Sequence, residues 1–152
     1  MFAHRRSAAR RGFVRGNTPR CFDFQLKPLA RHSRAQLDAW YTAHGYSPLR
    51  PGELPATGFV FEGVAAGFLY RTDADTVILE GFITNPDAAP DARYHALEQV
   101  HAALIAAAQQ SGARRILALT ADDSLKQRAL EHGFASLGLF ELLERNLDPE
   151  TP

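Results

Sequence analysis

The residues best placed to do chemistry fall between Thr76 and Gly133. Glu80 stands inside TVILEGFIT, a strand-like run in which Val77, Leu79, Gly81 and Ile83 would share one face and Ile78, Glu80 and Phe82 the other. Both faces around Glu80 are then apolar, and a carboxylate partly withdrawn from water is a residue type for a general base; the plainer reading is the solvent-facing residue of an alternating strand. A loop, Asn85 to Ala92, and a long amphipathic helix follow, and after them a second strand, RRILALT. Two strands joined through such a helix lie parallel with a right-handed crossover, so the loop sits at the carboxyl end of one strand and the amino end of the helix. Backbone N–H groups and the positive end of the helix dipole meet there, which suits an anionic ligand. His95, in this turn, is read either as an anion ligand or acid or as a plain surface histidine.

Other chemistries find no support in the residue pattern. No set of His, Cys, Asp and Glu has metal-ligand spacing, so no metal is expected. No Gly-x-Ser-x-Gly, P-loop or dinucleotide fingerprint occurs. Cys21 is the single cysteine, which excludes an internal disulfide and reads as an inert thiol. His101 falls on the apolar face of the long helix and reads as a packed core histidine, while His32, His44 and His132 sit beside helix ends, where they complement helix dipoles.

A chain of 152 residues, 45% hydrophobic and 22% charged, is long enough for one domain with a real core. Its net charge of zero hides an asymmetry: residues 1–20 hold six arginines and no acid, leaving 11 basic and 17 acidic residues in the remainder. The reading is a basic, disordered arm over 1–20, a single domain over 21–148 and a short tail over 149–152. The arm has no apolar h-region, so it does not read as a secretory signal, and its Arg and Ser without acids suit an organelle transit peptide only loosely. No apolar run approaches the roughly 18 residues that span a bilayer, and a cytoplasmic location away from membranes is expected.

The elements that must position Glu80 and the loop follow in order. Cys21 to Leu29 alternates as a first strand that Pro28 ends or places near an edge. SRAQLDAWYTAHG is a helix with Ser33 and Gln36 in a capping-box pattern, Leu37, Trp40, Tyr41 and His44 on one face, and Gly45 as its stop. After a proline-rich connection, TGFVFEG, VAAGFLYRT and TVILEGFIT form an antiparallel meander. The long helix carries Leu97, Val100, His101, Leu104, Ile105 and Ala108 on one face, with Pro90 in its first turn and Gly112 past its end. A short strand over Arg115 to Thr120 precedes a helix capped by Asp122 or Asp123 and ended by Gly133. FASLGLFELLERNL supplies one or two closing strands bearing Phe134, Leu137, Leu139 and Leu142. The expected fold is α/β (α+β): a mixed, mostly antiparallel sheet of six to seven strands flanked by three to four helices.

This order resembles the GNAT superfamily of acyl-CoA N-acyltransferases over roughly Phe22 to Leu147. ITNPD is similar to the strand end V-x-P-x that precedes the family's coenzyme loop, and ALEHGF to its closing L-Y-E-K-x-G-F. The resemblance implies acetyl-CoA, or another acyl-CoA, as the cofactor. Its pantetheine would lie near Ile83 and Thr84 and its pyrophosphate near Arg93, Tyr94, His95, Ala96 and Leu97. Glu80 lies on the strand where several such enzymes carry a glutamate base, and Asp122 falls where the family often has an asparagine. The sequence also departs from the pattern. Arg93 to Glu98 contains neither glycine of the family loop, Glu98 adds a negative charge there, and the family's tyrosine acid falls on Ala129.

Two readings follow from the resemblance. One is an acyl-CoA-dependent N-acetyltransferase acting on a primary amine, small or protein-borne, by direct attack. The other is a GNAT-fold protein without catalysis that binds a protein partner; short chains with an NPDAAP-like loop also resemble proteins of tailed bacteriophages, some of them virion proteins. The Arg-rich arm is read as a solvated tail, with sequence-independent phosphate contact as its alternative. If the arm contacts nucleic acid, removing residues 1–20 abolishes a salt-sensitive mobility shift on DNA or heparin. Identical shifts with and without the arm leave it a solvated tail.

Overall fold

The computed structural model describes residues 26–29, 34–50 and 52–138. The arm, Cys21, the first half of the expected first strand, Ser33 and everything after Gly138 lie outside the described residues. Within them the elements are β1 (Leu26–Pro28), α1 (Arg34–Ala43), β2 (Thr57–Phe61), β3 (Ala65–Arg71), β4 (Thr76–Thr84), α2 (Pro90–Gln110), β5 (Arg115–Ala118) and α3 (Asp123–Glu131). They form one five-stranded sheet in the order β1-β2-β3-β4-β5. The pairs from β1 to β4 are antiparallel, and β4 pairs with β5 in parallel, as a helical crossover between them requires. Pro28 is tolerated because β1 is the edge strand.

Each face of the sheet buries its own cluster. On one side Leu37 and Trp40 of α1 cover Val60, Ala66, Phe68 and Ile83. On the other, Ala96, Val100, Leu104 and Ala108 of α2 cover Phe61, Ala65, Leu69, Val77 and Leu79. The 3.6-residue period of α2 and the two-residue period of the meander therefore meet as the sequence pattern requires.

The face assignment along β4 needs correction. Ala66 pairs with Ile83 and Phe68 with Glu80, so Gly81 and Phe82 of β4 together oppose Gly67 alone. This is a β-bulge, and Gly81 carries its left-handed backbone, φ +69°. The extra residue reverses the alternation: Phe82 joins Val77 and Leu79 on the α2 side, and Ile83 joins the α1 side. Only glycine fits at the bulge, because a Cβ there would meet the Phe68 ring at 2.8 Å and the Tyr41 hydroxyl at 3.2 Å.

Strand number differs too, with five among the described residues rather than six or seven. Phe134 and Leu137 were expected in a closing strand, yet residues 134–138 adopt no regular structure. The Phe134 N–H still donates to Ala129 O at 3.0 Å, completing the end of α3, and Gly133 and Gly138 both have positive φ. Leu139 and Leu142 lie outside the described residues.

The bulge makes a measurable difference between two glycines. Gly81→Ala combines a left-handed backbone with the clash at Phe68 and is expected to cost roughly 2–4 kcal/mol. Gly63→Ala, at φ +76° with nothing within 4 Å of the new Cβ, meets only the backbone penalty of about 1–2 kcal/mol. Urea unfolding midpoints decide; equal losses would mean that Phe68 yields freely.

Candidate active site

Parallel pairing of β4 with β5 runs from Thr76 opposite Arg115 to Leu79 opposite Ala118 and stops there. Beyond it β4 continues to Thr84, while the chain after Ala118 leaves the sheet toward α3. The space that opens is a cleft of about 250 Å³, walled by Glu80 to Ile83 of β4, Tyr41 and Tyr46 from the α1 side, His101 of α2, Ala118 to Thr120, and Leu125, Arg128 and Ala129 of α3.

Glu80 is half-buried in this wall. Its position follows from local sequence: it precedes the bulge, so it stays on the α1 face, opposite Phe68 and diagonal to Tyr70. Its carboxylate makes no hydrogen bond or ion pair among the described residues. Tyr41 donates to Gly81 O at 3.4 Å and packs edge-on against Tyr46 with ring centroids 6.0 Å apart. Burial, followed by the charges of Tyr70 and Glu80, pushes the Tyr41 hydroxyl up to about 12, so it remains a neutral donor.

The loop after β4 is held by Asn85, whose amide side chain donates to Gly63 O at 2.9 Å and whose N–H donates to Val64 O at 2.8 Å. Its side-chain oxygen accepts the Asp87 N–H at 3.0 Å. α2 then begins at Pro90 with no side-chain cap. Arg93 to Leu97, the expected phosphate cradle, therefore lie within the first two turns of α2, and the Arg93 N–H already donates to Ala89 O at 3.0 Å. The donors that an α-helix leaves over at this end belong to Ala89, Asp91 and Ala92, since Pro90 has none. Ala96 is fully buried, His95 packs edge-on to Phe61 at 6.1 Å, and Tyr94 is exposed. Ile83 lines the cleft, and Thr84 ends the strand with its carbonyl 2.9 Å from His44 Nε2.

Asp122 caps α3, its carboxylate accepting the Leu125 N–H at 2.9 Å. The Ser124 hydroxyl and the Leu125 N–H hold this carboxyl below its usual range. The carboxylate is thus engaged at the helix start rather than turned to the cleft, whose lining does not include it.

A second polar cluster joins α2 to α3. Glu98 accepts a hydrogen bond from Arg128 Nη1 and lies 3.1 Å from His132 Nε2. The Arg128 guanidinium also stacks on Tyr94, 4.5 Å from the ring centroid. His132 thus serves more than a helix end, and the negative charge of Glu98 is met by Arg128. His101 is packed as expected, 3% exposed, among Phe82, His132 and Phe134, and its Nδ1 has no hydrogen-bond partner among the described residues. Burial, then the neighbouring His132, lowers His101 to about 4. Arg128 and His132 went unmarked as site residues because their partner lies 30 and 34 positions away. The only signal for Arg128 in the sequence is that it adjoins Ala129.

No family model matches the sequence, and no curated protein matches it either. Solved structures do. One is a protein from Agrobacterium tumefaciens str. C58 assigned as an acetyltransferase, at TM-score 0.61 and 14% identity over 79% of this chain and 99% of that one. Another is a Trypanosoma brucei acetyltransferase, at 0.56 and 11% over 79% and 98%. A third is the aminoglycoside N-acetyltransferase AAC(6')-Iy in complex with CoA, at 0.51 and 14% over 79% and 93%. At such identities the likeness establishes the fold. The chain has the GNAT fold that its sequence resembles, and the phage resemblance gains no support. Among the described residues no helix is long and apolar enough to cross a membrane, and no group of three or more His, Cys, Asp or Glu could hold a metal.

The buried His101 makes stability depend on pH. Its folded value of about 4 lies below the ordinary 6.5, so between them the unfolded chain binds more protons. Its contribution is complete above pH 6.5 and is lost as pH falls toward 4. Urea midpoints measured across this window should fall more steeply for the native sequence than for His101→Met; parallel curves would remove His101 as the cause.

Proposed function

We propose that the protein transfers an acyl group, acetyl in the simplest case, from acyl-CoA to a primary amine by direct attack, with Glu80 as the base. The observation that carries this reading is a half-buried carboxylate, without hydrogen-bond or ion-pair partners among the described residues, in the wall of the cleft where β4 and β5 part. A carboxylate left unpaired at such a place is more economically explained by a proton-transfer role than by stability. The GNAT fold of the chain, shared with acetyltransferases one of which is a CoA complex, supports the reading.

Donor chemistry fits what lines the cleft. Among the described residues the edge of β4 beyond Leu79 has no strand partner on the β5 side, which suits pairing with the amide-bearing pantetheine arm along Gly81 to Thr84. At the phosphate end the chain offers the N–H groups of Ala89, Asp91 and Ala92 and the Arg93 side chain, against the carboxylates of Asp87 and Asp91. Arg93, Tyr94, His95, Ala96 and Leu97 would then border the pyrophosphate through side chains rather than cradle it through backbone. Asp122 would act there only through its cap of α3.

Acyl-CoA supplies an activated acyl carbon whose C–S bond breaks as the new C–N bond forms. Tyr41 and Tyr46 form the wall against which the amine would be oriented. Glu80, directly or through one water, takes the proton that the amine must lose.

The second reading, a GNAT-fold module without catalysis and with a protein partner, is favoured by Ala129 in the cleft wall, which has no proton to give. Calorimetry with acetyl-CoA and an acetylation assay separate the two. Glu80→Gln should lower turnover about 100-fold or more while coenzyme affinity changes little. Unchanged turnover removes Glu80 from the mechanism, and no binding by the native sequence at millimolar acetyl-CoA favours the module.

A further inference from the structure

Two charged side chains line the cleft, one from each side of the sheet: Glu80 on the α1 face and Arg128 of α3, whose guanidinium reaches α2 on the other. Arg128 is 6% exposed. A buried guanidinium is expensive unless all its donors are used, and here they are not. One donor goes to Glu98 and the plane is backed by Tyr94, while Nε has no partner among the described residues. Glu98 cannot neutralise Arg128 undivided, because its other oxygen faces His132. Of the cleft-lining residues beside it, His101 is neutral near pH 7, and Ala129 has no polar side chain. The cleft is thus polarised, with an anion where an amine would lose its proton and a cation on the side away from it.

We propose that Arg128 is a catalytic residue that stabilises the departing thiolate of the acyl donor, in place of a proton-donating side chain. This rests on the acyl-transfer reading. As the C–N bond forms, the C–S electron pair passes to sulfur, the amine's proton passes to Glu80, and the sulfur leaves as a thiolate beside the guanidinium. It takes its proton from water after departure. A guanidinium does not give up a proton near neutral pH, so its contribution is charge and hydrogen bonding alone. The pinning by Glu98 and Tyr94 fixes that charge before the bond breaks, when a fixed cation is most effective.

A direct measurement is the thiol titration of CoA bound to the full chain, followed by thiolate ultraviolet absorbance. The bound thiol should titrate at least about one unit below free CoA, as a nearby cation requires. Arg128→Met should return it to the free value or above, and Arg128→Lys should keep part of the shift. An unshifted thiol in the native sequence overturns the assignment without any variant, which covers the case in which Arg128→Met leaves Glu98 uncompensated and fails to fold. So does the same shift in native and Arg128→Met proteins.

Turnover of two donors adds a second readout. Arg128→Met should slow acetyl-CoA about 100-fold but an aryl thioester, whose thiolate is already a good leaving group, no more than about 10-fold. Equal losses on both donors overturn the role of Arg128 and leave acyl transfer standing. Failure of the native sequence to bind CoA at all overturns the acyl-transfer reading itself, and this assignment with it.

Discussion

Parallel pairing between β4 and β5 lasts for four residue pairs, and the character of the molecule depends on where it stops. Had it continued, the backbone of residues 80–84 would be occupied by a neighbouring strand and no cleft would exist. The bulge at Gly81 lies two residues beyond the last pair, where extra twist turns β4 away from the line of β5. A tightly packed environment fixes it there. The Phe68 ring lies against both Gly58 and Gly81, in contact so close that a Cβ at either would meet it at 2.7 or 2.8 Å. The cleft is therefore a consequence of core packing on the α1 face, one strand away.

That geometry also sorts the side chains of β4. Before the bulge Glu80 faces α1 with Tyr41 and Tyr70 nearby; after it Phe82 faces α2 and meets His101 at a ring distance of 5.5 Å. One extra residue thus sends a carboxylate and an aromatic ring to opposite sides of the same opening. Glu80 thus lies on the α1 side, and on the other side Phe82 and a neutral imidazole share the cleft wall with Arg128.

The α2–α3 contact supplies the electrostatic order of that second side. Glu98, Arg128 and His132 form one connected group, closed over by Tyr94. Removing either charged partner would leave the other in a mostly dry environment, a change that usually destabilises by several kcal/mol. The same group compensates the carboxylate that a glycine-free loop places in α2.

Local pattern in the sequence determined most of the scaffold. The strands of the meander, the long helix with Pro90 at its start, the stop at Gly112 and the cap of α3 by Asp122 are all visible because each depends on residues within a few positions of one another. The placement of Glu80 within a strand was legible for the same reason. Tertiary structure alone decided the rest. The face of Phe82 and Ile83 turned on a bulge that Phe68 and Gly67 impose from another strand, and an alternating pattern contains no sign of a skipped partner. The loss of pairing after Leu79 and Ala118, and the grouping of Arg128 and His132 with Glu98, join residues 30 or more positions apart. Such contacts follow from how helices and strands stack once each has buried its apolar face, a choice that no stretch of chain makes by itself.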